Sequence, residues 1–339
     1  WAKTQEPALL PKKRKLWFKV EPTASQKMLR KRSGPAAKDY ELDCRICDAI
    51  NSALSDQVDV SGAVQLQCNV VTQVVYQGIT PGNDAFVLDG AARDRLCKAD
   101  LRNHEIIFPY LTGDELLSER GSPTRWILNF GERTLIEAKA YPKAFDFVRD
   151  SVLPARQRAA ERGKDASGTT RPHHKQFLER WWQLSWNRAE MCAQIENHPR
   201  YLVCSRVTKR PIFVFVDATI RPGDALQVFI FPDDYSFGIL QSSLHWLWFT
   251  TKCSKLKSDF RYTPESVFDT FPWPQEPSVK HVTAVAEAGR EIRRVRANAL
   301  DKIKGGLRNL YRTLELPGAN PLKDAHAALD AAVLAAYSF

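Results

Sequence analysis

The sequence has no long apolar run. No stretch approaches the ~20 consecutive apolar residues that a membrane-spanning helix needs. The opening segment WAKTQEPALLPKKRKLWFKV also lacks the apolar centre of a secretory signal peptide. Seven cysteines, an odd number at scattered spacings, are typical of reduced thiols and not of a disulfide framework. These absences predict a soluble, cytoplasmic protein with no membrane partner.

Catalytic and cofactor motifs are missing as well. The sequence has no G-x-G-x-x-G, no G-x-x-x-x-G-K-[ST], no G-x-S-x-G and no Asn-Pro-Pro-aromatic motif. A single C-x-x-C, formed by Cys44 and Cys47, has no second pair at metal spacing, and neither do the adjacent His173 and His174. We therefore predict no catalytic residue, no metal site and no cofactor site in this chain.

Positive charge is abundant, but it is unevenly distributed. The net charge is +10, and residues 1–40 hold eleven Lys or Arg against three Asp or Glu, so eight of the ten charges lie there. A basic segment of this kind is typical of a solvated, flexible lead-in. The rest of the chain is nearly balanced. An argument for binding an anionic polymer must therefore come from local clusters, such as the one at 252–261.

Hydrophobic periodicity predicts an α+β protein. Spacing of four through Leu42, Ile46, Ile50 and Leu54 predicts a helix, and RWILNFG, RYLVCSRV, PIFVFVDA and ALQVFIFP predict strands. Further helices are expected at 134–163, with breaks at Pro142 and Pro154, over 177–195 and 236–250, and near 279–316 and 321–337. We expect a basic lead-in over 1–40, a strand-rich domain with packed helices over 41–275, containing a mobile loop near 163–175, and a C-terminal helical segment over 276–339.

Residues 242–274 combine aromatic rings, cations and a proline-bounded exit. Helical spacing predicts that Leu244, Leu247 and Trp248 face the core, which leaves the intervening polar residues to face a groove. Cations and short hydroxyls are the groups that contact phosphates and base edges. The predicted DNA-contacting residues here are Ser242, Ser243, His245, Lys252, Ser254, Lys255, Lys257, Arg261 and Tyr262. For His245, a structural role in the core is favoured over DNA contact.

Two other functions remain open on the residues alone. Asp114, Glu137 and Lys139 match the D…E-x-K arrangement of metal-dependent nucleases, although TLIEAKAY is predicted to be helical and would point the last two side chains apart. The C-terminal helices could instead form the partner surface of a protein-interaction scaffold.

Several segments also resemble a known family, in the same order along the chain. They are QGITPGNDAFVLD, IIFPYLTGDEL, RWILNFGERTLIEAKAYP, ILQSSLHWLWF, DFRYTPESVFDTFPWP and LYRTLELPGANPLKDAHAALDAAVLAAY. From about residue 45 to the end, the chain is similar to the C-terminal region of MmeI-like DNA methyltransferases. These are adenine-N6 methylating proteins of type IIL restriction-modification and related phage-defence systems.

The resemblance implies a target recognition region that binds double-stranded DNA. It also implies that S-adenosylmethionine and the catalytic motifs belong to a methyltransferase domain of the same protein, upstream of Trp1, and that other defence subunits could be partners. The base-reading positions transfer only approximately, to SRVTKRP. That segment gives Arg206, Lys209 and Arg210 as predicted base-reading residues, where one strand ends and the next begins.

Overall fold

The structure is a computed structural model that describes residues 13–19, 42–47, 60, 62–118, 121–163, 171–256 and 259–338. The chain divides into two compact units, Trp1–Val64 and Gln65–Phe339. The segment boundaries predicted near residues 40 and 275 stay predictions.

In the first unit, β1 (Arg14–Lys19) pairs antiparallel with β2 (Leu42–Cys47), and Trp17 lies opposite Cys44. The helix predicted here is wrong for Leu42–Cys47. A spacing of four is also a multiple of two, so Leu42 and Ile46 fall on one face of a strand as readily as on one face of a helix. Pairing with β1 decides between the two.

The second unit mixes helices and short strands. In chain order its elements are α1 (Gln67–Val70), β3 (Val75–Gln77), β4 (Val87–Leu88), α2 (Gly90–Ala99), β5 (Ile107–Leu111), α3 (Gly113–Leu116), β6 (Arg125–Leu128), α4 (Leu135–Ala138), α5 (Pro142–Arg162), α6 (Pro172–Glu179), α7 (Ala189–Glu196), β7 (Arg200–Ser205), β8 (Val214–Asp217), β9 (Arg221–Pro222), β10 (Leu226–Phe229), α8 (Asp234–Gln241), α9 (Ser243–Lys252), β11 (Ser254–Leu256), β12 (Asp259–Arg261), α10 (Pro264–Val267), α11 (Val279–Leu300), α12 (Gly306–Arg312) and α13 (Pro321–Ala336).

Two four-stranded sheets organise this unit. One has the order β3-β10-β7-β8 and is antiparallel throughout, and the other has the order β4-β6-β5-β9, in which β5 and β9 run parallel. Residues Tyr201 to Cys204 of β7 are fully buried, because the strand lies inside the first sheet with both faces covered. The α+β prediction is confirmed, and so are the three strands predicted at 200–232.

Of the two predicted proline breaks, the one at Pro142 is confirmed, because α4 ends at Ala138 and α5 begins at Pro142. Pro142 begins α5 at the first helical position, where its missing N–H is no loss. Pro154 lies inside the same helix without ending it, so the predicted break at Pro154 is wrong. The helix predicted over 177–195 is instead two short helices, α6 and α7. The loop predicted near 163–175 is already helical from Pro172, and residues 164–170 lie outside the described part of the chain.

The C-terminal helices pack within the second unit. A Cβ on Gly238 of α8 would lie 2.7 Å from Val285 Cγ1 of α11, so glycine allows the two helices to approach closely. Asn320 caps α13 by accepting from Leu322 N at 2.9 Å, and Pro321 occupies the first turn, both as predicted. Over the described residues, no helix has the length and apolar character to cross a membrane.

Candidate nucleic-acid interface

The aromatic residues of segment 242–274 form core. Tyr262 stacks on Phe249 with ring centroids 5.5 Å apart and meets Phe229 edge-on at 5.3 Å. His245 lies 5.0 Å from Phe271, also edge-on. Contacts of this geometry stabilise a core beyond the area that they bury. Most of the aromatic surface in this stretch is therefore internal.

Three predicted DNA contacts lie in that core. Ser242, His245 and Tyr262 are 1%, 0% and 0% exposed. Ser242 Oγ donates to Ile239 O at 2.7 Å and caps α9 by accepting from His245 N, while His245 Nε2 and Tyr262 OH share a hydrogen bond of 3.0 Å. Burial lowers the pKa of His245 to about 3. Side chains without solvent access cannot reach DNA, so the prediction that these three are contacts is corrected.

The remaining predicted phosphate contacts lie around a β-hairpin. Lys252 ends α9, Ser254 and Lys255 lie on β11, and Arg261 ends β12. Lys255 pairs with Phe260 in the antiparallel register, and Lys257 lies outside the described residues. Ser243 is exposed at the start of α9, where its N–H donates to Asp330 at 2.8 Å. These residues stay predicted contacts.

Arg206 is held at the point where β7 meets this hairpin. Its N–H donates to Ala225 O at 2.9 Å, and its carbonyl accepts from Tyr262 N at 2.8 Å. The next residue, Val207, forms an antiparallel bridge with Arg261. Pairing on both sides fixes the backbone of Arg206, so its side chain leaves the sheet in a defined direction. That direction brings it beside Arg261, 55 residues later in the chain.

Arg206 lines a polar cavity that we call the arginine cavity. This space has a volume of about 440 Å³ and is also lined by Gln77, Arg188, Gln227 and Glu265. Three of its buried polar atoms have no hydrogen-bond partner: Arg188 Nε, Arg206 Nε and Gln227 Oε1. Buried donors and acceptors are nearly always paired in folded proteins. Because these atoms are themselves buried, a ligand in the cavity would meet the partly exposed remainder of the Arg188 and Arg206 side chains.

Charges of both signs lie near Arg206. Burial lowers the pKa of the Arg206 guanidinium, and the nearby positive charges of Arg261 and Arg188 lower it further, whereas Asp224 and Glu265 oppose the shift. Positive charge in this position is therefore only partly compensated by the protein's own carboxylates. An anionic ligand would relieve the repulsion.

Two further concavities share Arg206. One, of about 580 Å³, is lined by Thr112, Arg125, Asp224 and Arg308, and the other, of about 440 Å³, is lined by Lys252, Arg261 and Ser266. The structure thus brings together Arg206, Lys252 and Arg261 from the predicted set. Arg125 lies 3.6 Å from Glu115, and Arg308 lies 3.6 Å from Asp114. Both arginines are about half exposed, but Glu115 is mostly buried, so only the Arg308–Asp114 pair is exposed on both sides.

Lys209 and Arg210 line none of these concavities. Lys209 is exposed, and its carbonyl accepts from Trp246 Nε1 at 3.2 Å. The Arg210 guanidinium lies 4.6 Å from the ring centroid of Trp246 and 5.5 Å from that of Tyr311, and burial lowers its pKa. Packing between two rings gives Arg210 a structural contact with α9 and α12. Its predicted role in base reading has no geometric support.

Sequence reasoning missed Arg188 and Gln227. Arg188 precedes α7 with a left-handed backbone (φ 54°), and its Nη2 donates to Gln77 Oε1 at 3.4 Å. Gln227 is fully buried on β10 and donates to Tyr76 O at 2.7 Å. Neither residue belongs to a charge cluster in the sequence. The pairing of β3, β7 and β10 brings Gln77 and Gln227 together, and Arg188 joins them through its hydrogen bond to Gln77.

The nuclease residues have other partners. Glu137 accepts hydrogen bonds from Thr134 N (2.7 Å) and Thr134 Oγ1 (2.8 Å) in the capping box of α4, which lowers its pKa. Asp114 is 98% exposed. In the part of the chain that the structure describes, no three His, Cys, Asp or Glu side chains form a group that could hold a metal ion.

A family model described as "MmeI, target recognition domain" matches residues 66–275, which is more than half of the chain. The chain belongs to this family. Its matched region contains the arginine cavity and the β11–β12 hairpin.

Two similar proteins agree with this assignment. DNA methyltransferase A of Bacillus subtilis (strain 168) is 36% identical over 103 residues, which cover 30% of this chain and 11% of that protein. The type IIL restriction-modification enzyme MmeI, whose structure was solved in complex with DNA, superposes with a TM-score of 0.68 at 22% identity. That match covers 88% of this chain and 37% of the MmeI chain, and it shows a shared fold. The chain thus spans about a tenth and about a third, respectively, of these two proteins.

Proposed function

We propose that this chain is the part of an adenine-N6 DNA methyltransferase that recognises the target sequence in double-stranded DNA. The whole protein would belong to a restriction-modification or phage-defence system of the cytoplasm. The observation that carries the proposal is that Arg206 lines three concavities together with other cations, among them Arg188, Arg125, Arg308, Lys252 and Arg261. Membership of the target recognition family supports the same function.

Base edges match the chemistry of the arginine cavity. An arginine can donate two hydrogen bonds to guanine O6 and N7, and an amide can both donate and accept at adenine. Arg206 is fixed by strand pairing on both sides, which gives its guanidinium the constant direction that base reading needs. We assign base reading to Arg206, with Arg188 beside it. Lys252, Lys255, Lys257 and Arg261 would contact phosphates and set the register.

The sequence of this chain has no motif of the kind that binds S-adenosylmethionine. We therefore assign the cofactor to a methyltransferase domain of the same protein. That domain and possible further subunits of the defence system are the proposed protein partners.

Selection from a randomised duplex pool tests the proposal. The purified 339-residue chain is expected to enrich one short motif, with Arg206→Ala relaxing one position of that motif. Lys209→Ala is the matched control, because Lys209 is exposed and lines no cavity, and it should enrich the unchanged motif. Binding without enrichment of any motif would contradict sequence recognition. Failure to bind any duplex at low salt would favour the interaction-scaffold alternative instead.

A further inference from the structure

A second cavity adjoins the arginine cavity through Arg188, which lines both. This space, which we call the Trp186 cavity, has a volume of about 340 Å³ and is also lined by Gln73, Arg180 and Asn187. Trp186 itself is 52% exposed, which is unusual for the largest aromatic side chain. The cavity is polar and of mixed charge, since Glu132 and Glu190 line it together with Arg180 and Arg188, and the exposed indole offers a flat face to a ligand.

The backbone around this cavity is strained. Only four non-glycine residues of the described chain have positive φ, and two of them, Gln73 (φ 34°) and Arg188 (φ 54°), line the Trp186 cavity. Left-handed conformations in residues with long side chains cost of order 1 kcal/mol and tend to persist at functional sites. The strain at Arg188 directs a side chain whose buried Nε has no partner.

The ring of Trp186 is rigidly placed. Its backbone pairs with Thr80 through two hydrogen bonds of 3.1 Å. Its ring meets Phe177 edge-on at 6.2 Å, and the Arg188 guanidinium lies 5.8 Å from its centroid. An indole held in this way loses little side-chain entropy when a second flat group stacks on it. The cavity is therefore prepared for stacking and not only for apolar burial.

We propose that Trp186 stacks on an unpaired base of the bound DNA, with Arg188, Arg180 and Asn187 as donors to its edge or phosphate. This inference rests on the proposed function. The bases of an intact duplex have both faces covered by their neighbours, so an aromatic ring can stack only on a base that has left the helix or lost its partner. Flipping of a target adenine leaves such an unpaired base behind.

The test compares two duplexes of the selected sequence, one fully paired and one with a single unpaired base at successive positions. We expect the 339-residue chain to bind the best-placed unpaired base about ten-fold more tightly than the paired duplex. Trp186→Ala should abolish this ratio, and Trp186→Phe should restore most of it, because phenylalanine keeps a stacking face. Trp246→Ala is the control, since Trp246 is 37% exposed but lies outside the cavity.

The outcomes separate the two proposals. An unchanged ratio in Trp186→Ala, or an equal loss of affinity for both duplexes, overturns the stacking role while leaving sequence recognition intact. A wild-type chain that binds neither duplex contradicts the proposed function instead. Thermal unfolding of each variant shows whether a loss of binding reflects a loss of fold.

Discussion

Two guanidinium groups of the same compact unit, those of Arg206 and Arg296, are withdrawn from water, but their surroundings differ. Arg296 on α11 is 5% exposed, and its nitrogens donate to Phe213 O (2.7 Å), Gln241 Oε1 (2.5 Å) and Tyr311 OH (2.9 Å). Arg206 is half-buried, and its Nε has no partner. The Arg296 guanidinium is engaged by the fold, whereas the partly exposed Arg206 side chain lines concavities that a ligand can enter.

The difference also separates two kinds of neighbour. Arg296 joins the residue before β8, α8 and α12 through neutral acceptors, and Tyr311 OH extends the network to His326 of α13 at 3.1 Å. Arg206 instead has Arg188 and Arg261 nearby, whose positive charges oppose its own. The first cluster stabilises the folded state without a ligand. The cluster around Arg206 is expected to stabilise the folded state only when DNA is bound.

The largest expected effect is on the stability of an Arg296 variant. Arg296→Met should lower the free energy of unfolding by about 3 kcal/mol, because the acceptors at Phe213, Gln241 and Tyr311 lose their buried donor. Urea unfolding monitored by tryptophan fluorescence measures the change. At temperatures where the variant is folded, its affinity for DNA should match that of the wild type. If Arg296→Met has the stability of the wild type, the hydrogen bonds of Arg296 do not stabilise the fold.

Acidification tests the same network through His326. Burial lowers the pKa of His326 to about 3, and the charges of Arg296 and Arg210 add to the shift. The pKa of His326 in the folded state lies below its unfolded value of ~6.5. Its neutral form therefore contributes stability that is fully present above pH 6.5 and is lost as the pH falls below it. At pH 5 the loss from one such histidine is about 2 kcal/mol. Between pH 7.5 and 5, the free energy of unfolding of His326→Gln should therefore fall by about 2 kcal/mol less than that of the wild type. Equal decreases in the two proteins would contradict this.

The third effect concerns Arg206, whose variant should lose DNA specificity and keep its stability, the opposite of Arg296→Met. Arg206→Ala should reduce the ratio of specific to nonspecific affinity about ten-fold, because one bidentate base contact is lost. Its free energy of unfolding should stay within about 0.5 kcal/mol of the wild type, since no protein partner of Arg206 Nε is removed. Competition binding with a scrambled duplex measures the ratio. If Lys209→Ala reduces it equally, base reading is not localised to the cavity.

Much of the fold could be predicted because local pattern and tertiary pairing agree. The strands β7, β8 and β10 and the Asn320 cap follow directly from β-branched runs and capping chemistry. The pattern was ambiguous at Leu42–Cys47, where helical and strand spacings coincide and the partner strand decides. At Pro154 the surrounding helical turns continue past the residue that was expected to end them.

Only part of the site could be predicted, because some of its residues come together only through tertiary contacts. Arg206, Lys252 and Arg261 stand in visible basic clusters, and the structure brings them to shared concavities. Gln227 lies on β10 and Arg188 precedes α7; they meet only through tertiary contacts with Gln77, so no local pattern marks them. The core role favoured for His245 is confirmed, although its partners Phe213 and Phe271 are distant in the sequence; Leu247, assigned to the core, is 59% exposed.

The smallest expected effect separates holding DNA from reading it. Arg261 lies beside Arg206 at the end of β12, with Lys252 in the same concavity, and its proposed ligand is a phosphate. Each phosphate neutralised releases about one counterion, so Arg261→Ala should reduce the slope of log affinity against log salt by about one unit. Specific and nonspecific duplexes should weaken together, which leaves their ratio unchanged. Arg95→Ala, on an exposed part of α2, is the control and should keep the full slope. If Arg261→Ala instead changes the ratio and keeps the slope, Arg261 reads bases, and the division of roles between it and Arg206 is reversed.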